Sequence, residues 1–198
     1  MRETDLRVVK TRANIRRCFL ELLQEKTLNK ISLQELCKRA QCSRNTFYMH
    51  YQYIDTLYEQ LVDECIESIT DSLRPLVESA SEMSEEIIDQ YAVNFLDGIA
   101  VNADMLCILI GGDCNGTFAK TLTDALYHAL VNYGTQISGK YADSDEWRLV
   151  CRYSAGGFAG FAIFWLQNRN VPIERAKEIL RDLIASPMHI GKKLLPNA

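Results

Sequence analysis

"SRNTFYMHYQYIDTLYEQL", Ser43 to Leu61, holds four tyrosines, a phenylalanine and a histidine in nineteen residues. Phe47 and Tyr51 are four apart, the spacing of one face of a helix. If they point inward, Arg44, Asn45 and Tyr48 lie toward the other side, with Thr46 and His50 on its flanks. Ser43 is of the type that caps a helix start. The segment therefore predicts a short helix with an apolar inner face and a polar outer face.

Working outward, "SLQE", Ser32 to Glu35, fits the capping-box pattern and opens a second short helix. Leu33, Leu36 and Ala40 are expected to face inward on it. Upstream, Ile15, Phe19, Leu22 and Leu23 share one face of a first helix, for which Thr11 is the candidate N-cap. Downstream, Leu57, Leu61, Cys65 and Ile69 mark a longer fourth helix expected to end near Pro75. Two short helices joined by a few residues and clasped by longer ones predict a helix-turn-helix, whose second helix is the one offered to the DNA major groove.

The outer-face residues suit that role. Arg donates two hydrogen bonds to guanine, Asn pairs with adenine, and the Thr methyl meets thymine's methyl. Tyr48 and His50 are placed to reach phosphate oxygens, and Ser32 and Ser43 sit at helix N-termini that favour phosphate. Taken singly, each of these residues is better read as part of a solvated face beside a core; all of them together on a basic head, after a turn of the right length, favour DNA. Charge adds weight: residues 1–54 carry a balance of +6, whereas residues 55–198 carry −10, within a net −4. A basic head on an acidic body is a candidate polyanion contact.

Beyond Pro75 the chain reads as helices at roughly 85–103, 117–138, 146–168 and 172–186. They are separated by "GGDCNG" (111–116) and "SGKYADSD" (138–145), with 78–86 as a polar linker or helix start. Pro172 suits the first turn of the last helix and Pro187 its end. "YSAGGFAGFAIFWL", 153–166, is too short to cross a bilayer and reads as a buried helix, so no membrane association is expected. The seven cysteines are odd in number and form no C-x-x-C pair. With no export signal, they read as reduced, mostly buried thiols of a cytoplasmic protein. Three histidines far apart, with no phosphate loop, nucleophile elbow or metal-ligand spacing, predict no catalytic site, no metal site and no cofactor.

"ISLQELCKRAQCSRNTFYMHYQYIDTLYEQL", Ile31 to Leu61, resembles the DNA-binding signature of the TetR family of bacterial transcriptional regulators. The matching features are the Ser32-capped helix, Ala40 before the turn, Ser43, Thr46-Phe47-Tyr48, His50-Tyr51 and Leu57. The family often has Gly in the turn where this chain has Gln41, which predicts a strained backbone there. It usually has a phosphate-contacting Lys at the start of the fourth helix, where this chain has Ile54 preceded by Tyr53. Asp55 is an alternative cap, and Tyr53 a substitute phosphate contact through its hydroxyl.

The resemblance implies an all-α homodimer with a three-helix helix-turn-helix head and a C-terminal helical bundle for ligand binding and dimerisation. The expected domains are 1–54, with a connecting helix over about 55–74, and 75–198. "YSAGGFAGFAIFWLQNR" resembles the penultimate helix of the family, which pairs with the last helix in a four-helix dimer interface. Gly156 and Gly160, with Ala155 and Ala159, form a small-residue ridge that suits tight packing within or between subunits. Expected DNA contacts are Ser32, Ser43, Arg44, Asn45, Thr46, Tyr48, His50 and Tyr53, on double-stranded DNA with a palindromic operator. Candidate pocket residues for an unknown small-molecule effector, apolar or neutral, are Tyr91, Phe95, Leu109, Phe118, Leu122, Tyr153, Phe161 and Trp165. The expected function is a ligand-responsive regulator, a repressor. The alternative is a helical protein-interaction module of the same fold that no longer reads DNA specifically.

Overall fold

The computed structural model describes residues 3–79, 85–138 and 144–194, and these contain α-helices and one short 3-10 turn but no strand. In chain order the elements are α1 (Glu3–Glu25), the 3-10 turn Leu28–Lys30, α2 (Leu33–Arg39), α3 (Arg44–Tyr48), α4 (Ile54–Ser79), α5 (Glu85–Val101), α6 (Ala103–Gly112), α7 (Thr117–Ser138), α8 (Asp145–Gln167) and α9 (Ile173–Leu194). The chain divides into two compact units, Met1–Glu64 with Asp104–Phe118, and Cys65–Ala103 with Ala119–Ala198. The expected linker 78–86 and break 138–145 fall largely on 80–84 and 139–143, outside the described residues.

The first unit closes around one apolar cluster. Ile15, Phe19 and Leu22 of α1, Leu36 of α2, Phe47 of α3 and Leu57 of α4 are fully buried. Contacts of this kind are each worth about 1.5–3 kcal/mol of transfer free energy. Polar bonds set the orientation: Asn14 Nδ2 donates to the Ala40 carbonyl (2.8 Å), fixing α1 against the end of α2. Arg16 clamps the Glu64 carboxylate with both guanidinium nitrogens, and Arg12 lies 3.6 Å from the same group. Arg16 holds the Glu64 carboxyl below the usual carboxylate range. That contribution is therefore present above the ordinary carboxylate pKa and is lost as pH falls through the depressed one.

α6 joins this unit, a helix missing from the sequence reading. Its residues are apolar nearly all round, so no period marks one face. Tyr58 donates its hydroxyl to the Leu109 carbonyl (2.9 Å), and a Cβ at Gly112 would meet the Leu23 side chain at 2.5 Å. Within "GGDCNG", Asp113 is the working residue. Its carboxylate accepts from the backbone N–H groups of Thr117 (3.2 Å) and Phe118 (2.9 Å), the first residues of α7.

In the second unit α9 packs on α5 and α8. Lys177 pairs with Asp97 at 2.8 Å and Arg181 with Asp89 at 2.6 Å, tying α9 to α5. The α4–α5 approach is close enough that a Cβ at Gly98 would sit 2.7 Å from Ser72 Oγ.

Several expected ends are corrected. Thr11 does not cap α1, which begins eight residues earlier; its hydroxyl donates instead to the Arg7 carbonyl at 2.8 Å. α4 continues past Pro75 to Ser79 and α9 past Pro187 to Leu194. A proline forfeits one hydrogen bond and crowds one carbonyl, and neither helix ends there. Pro172 lies just before α9, its carbonyl accepting from Ala176 N–H (3.0 Å).

Candidate nucleic-acid interface

α2, its turn and α3 form a helix-turn-helix whose ends are set by named bonds. Ser32 Oγ accepts from Glu35 N–H at 3.2 Å, and Ser43 Oγ accepts from Thr46 N–H at 3.0 Å. Only half of the expected capping box forms, because the Glu35 carboxylate turns to Lys26 Nζ (2.6 Å). α2 ends in a Schellman motif: Cys42 N–H donates to the Cys37 carbonyl (3.0 Å) and Gln41 N–H to the Lys38 carbonyl (3.3 Å).

The motif requires a left-handed residue, and Gln41 supplies it with φ 50°, the single non-glycine positive φ among the described residues. A side chain in that conformation costs about 1–2 kcal/mol relative to glycine's freedom. Gln41→Gly is therefore expected to raise stability by about 1 kcal/mol, measured by urea unfolding, with the turn unchanged. A loss of stability would show that the strain reading is wrong.

The outer face of this motif is accessible. Phe47 is fully buried and Tyr51 nearly so, their rings 5.5 Å apart, which turns the rest of α3 outward. Arg44, Asn45, Tyr48, Met49 and Tyr53 are exposed, and Thr46 and His50 are partly covered. His50 packs its ring 6.2 Å from that of Tyr51. Ser43 and Thr46 also bond to each other through their hydroxyls (2.8 Å), so both serve the helix start before any partner. Tyr53 occupies the N-cap position of α4, its carbonyl accepting from Leu57 N–H (3.3 Å). Asp55 follows inside the first turn of the helix and is not its cap. Tyr48 and Tyr53 line the same open groove, about 320 Å³, together with Leu28 and Ile31.

The head's charge is unevenly committed. Arg12, Arg16, Arg17, Lys26 and Arg39 are engaged in ion pairs with Glu64, Glu21, Glu35 and Glu25. Arg44 has no ion pair among the described residues, so its guanidinium projects from α3 with its donors uncommitted.

The candidate pocket residues scatter. Leu109 and Phe118 are core of the first unit, whereas Phe95 and Leu122 are buried in the second. Trp165 is buried and donates its indole N–H to the Val171 carbonyl (2.9 Å), closing the α8–α9 connection. Phe161 is partly covered. Tyr153 is corrected: it is 74% exposed on the outward face of α8 and lines no interior. Tyr91 keeps its hydroxyl buried. Tyr133 and Trp147, absent from the sequence reading, prove to be buried with unpartnered polar atoms. Gly134, inside a helix where glycine is disfavoured, was their one sequence signal; a Cβ there would meet Trp147 Nε1 at 2.3 Å. Among the described residues no group of three or more His, Cys, Asp or Glu side chains is arranged to hold a metal.

A capped helix-turn-helix in a chain whose described residues are otherwise helical defines the class, an all-α helix-turn-helix fold. More particularly, the chain has the fold of the TetR-family transcriptional regulators. A TetR transcriptional regulator from Streptococcus agalactiae superposes with TM-score 0.64 at 22% identity, over 91% of this chain and 97% of its own. A TetR-family regulator from Streptomyces coelicolor gives TM-score 0.60 at 16% identity, over 93% and 82%. The dihydroxyacetone kinase operon activator DhaS gives 0.57 at 19%, over 92% and 98%. No protein-family model matches the sequence, and no curated protein matches it.

Proposed function

We propose that this protein is a ligand-responsive transcriptional regulator of the TetR family that binds a palindromic operator as a homodimer. The observation that carries the reading is α3. Its outer face presents Arg44, Asn45 and Tyr48 together, with Arg44 free of the ion pairs that hold most of the head's other arginines. An arginine left unpaired beside an exposed Asn matches the bidentate chemistry of guanine and adenine edges. Tyr48, Tyr53 and His50 flank it and serve phosphate, fixing register.

Two-fold pairing is supported by α8. Leu149, Tyr153 and Phe164 are 72%, 74% and 66% exposed at helical spacing. Gly156, Gly157 and Gly160 lie between them with nothing within 4 Å of a Cβ position. α8 is long and apolar enough to span a membrane, at hydropathy 1.3 over its best window. However, its other face, with Trp147, Cys151, Ala155, Phe158 and Ala162, is packed inside the bundle. One buried and one bare apolar face suit a soluble helix that packs against a second copy. Repression is the sign of regulation we propose.

The division of labour on α3 is testable by quantitative binding to a matched operator and to single-base variants. Arg44→Ala is expected to relax base preference at one position per half-site, by about 1–3 kcal/mol. Tyr48→Phe is expected to weaken every sequence alike. Equal loss of discrimination from both would contradict the assignment, and weak, strongly salt-sensitive binding by the parent would favour the protein-interaction module.

A further inference from the structure

Asn115, in "GGDCNG" between α6 and α7, is the one asparagine of the chain that is followed by glycine. Both Asn115 and Gly116 are exposed. Gly116 has φ 71°, and a Cβ there would meet nothing within 4 Å, so its backbone nitrogen is uncrowded. The neighbouring backbone donors are committed to Asp113. Its Oδ1 accepts from Asn115 N–H (3.1 Å) and Thr117 N–H (3.2 Å), and its Oδ2 from Phe118 N–H (2.9 Å). Gly116 N–H makes no hydrogen bond among the described residues, and neither does the Asn115 side-chain amide.

A backbone nitrogen and the carboxamide of the residue before it are the two reactants of an intramolecular ring closure, and covalent linkage already supplies their proximity. Here both are unbonded and open to water. We infer that Asn115–Gly116 is a site of spontaneous covalent modification, where water converts Asn115 to a mixture of aspartate and isoaspartate. The Gly116 nitrogen attacks Asn115 Cγ. A new N–Cγ bond forms, the nitrogen's proton passes to solvent and the side-chain amide leaves as ammonia. Water then opens the five-membered imide. Cleaving the new N–Cγ bond gives aspartate, whereas cleaving the original peptide C–N bond gives isoaspartate, with the main chain running through Cβ and Cγ. The net change is one water consumed and one ammonia released, with no oxidant or reductant.

The isoaspartate product acts on α7. It inserts one methylene into the main chain between Asp113 and Thr117, whose bond to Asp113 Oδ1 depends on the present spacing. It also sets a second carboxylate beside that of Asp113, at the residue whose N–H the same oxygen now accepts. The start of α7, held by Asp113, is thereby loosened. The aspartate product keeps the spacing and leaves the cap in place. Neither the modification nor its effect rests on the regulator reading.

The test ages the folded full-length protein in mildly alkaline buffer beside the free peptide GGDCNGTF, which sets the time scale. Peptide mapping by mass spectrometry follows the amide-to-acid conversion, and enzymatic methylation of isoaspartyl carboxylates identifies the product. Conversion is expected at Asn115 over the period in which the peptide converts, with both products present and the other asparagines unchanged. Asn115→Gln replaces an exposed side chain that makes no bond, so the variant remains folded and is expected to show neither conversion nor methylation at this position. The aged protein is expected to melt earlier than a fresh Asn115→Asp variant, because only isoaspartate lengthens the main chain. Asn115 still intact once the peptide has fully converted would overturn the inference, as would aspartate formed without isoaspartate. An aged protein that melts together with the Asn115→Asp variant would overturn the effect on α7.

Discussion

Phe47→Ala is expected to remove about 3–5 kcal/mol of stability and, with it, all specific DNA binding. Phe47 is fully buried on a helix of five residues, with Tyr51 at 5.5 Å and Tyr48 edge-on at 5.9 Å. So short a helix has no stability of its own, and its outer face is oriented only by what its inner face buries. Truncation leaves a cavity beneath α3 that the two flanking helix ends cannot fill. Domains of this size have only about 5–15 kcal/mol to lose, so the head is expected to melt ahead of the second unit. Calorimetry of the variant should resolve an early transition that the parent lacks. A single transition displaced by less than about 1 kcal/mol would show that Phe47 does not hold α3.

Phe164→Glu carries the second large effect, on association rather than folding. In one chain Phe164 is 66% exposed, and a polar substitution there should change stability by less than about 0.5 kcal/mol. In the proposed dimer the same patch would meet itself across the two-fold axis, so each dimer of the variant would bury two unpaired carboxylates. Burying an uncompensated charge costs about 3–5 kcal/mol, enough to raise the dimer dissociation constant at least about a hundredfold. Analytical ultracentrifugation is expected to show dimers for the parent and folded monomers for the variant. Operator affinity should fall in step, because one head engages only a half-site. A parent that sediments as a monomer, or a variant that stays dimeric, would remove α8 from the interface.

The sequence was most legible where local chemistry decides structure. Ser32 and Ser43 announce helix starts because their short hydroxyl side chains accept from the backbone N–H three residues on, and each makes that bond. Phe47 and Tyr51 reveal the inner face of α3 by spacing alone. Gln41 reveals its positive φ through the absence of the usual glycine, since a Schellman turn demands the left-handed region from whichever residue stands there.

Legibility failed where burial is settled by distant parts of the chain. α6, "ADMLCILIGG", is apolar on every side, so its pattern carries no period to read. Pro75 and Pro187 look like stops, yet helices run through both. Tyr153 and Phe158 are equally apolar on one helix, but one faces outward and the other inward. Hydropathy cannot tell a face covered by its own chain from one left bare. Tyr133, Trp147 and Cys151 pack together from two different helices, and no local pattern in the sequence marks them as neighbours.

The central claim is that the outer face of α3 reads bases. Its most direct test is selection of bound duplexes from a random library by the parent protein, beside an Arg44→Ala/Tyr48→Ala variant. The parent is expected to enrich a palindrome whose half-sites lie about one helical turn apart, and the variant, still folded, to enrich none. A folded parent that enriches no sequence, or a variant that enriches the same palindrome, would contradict it.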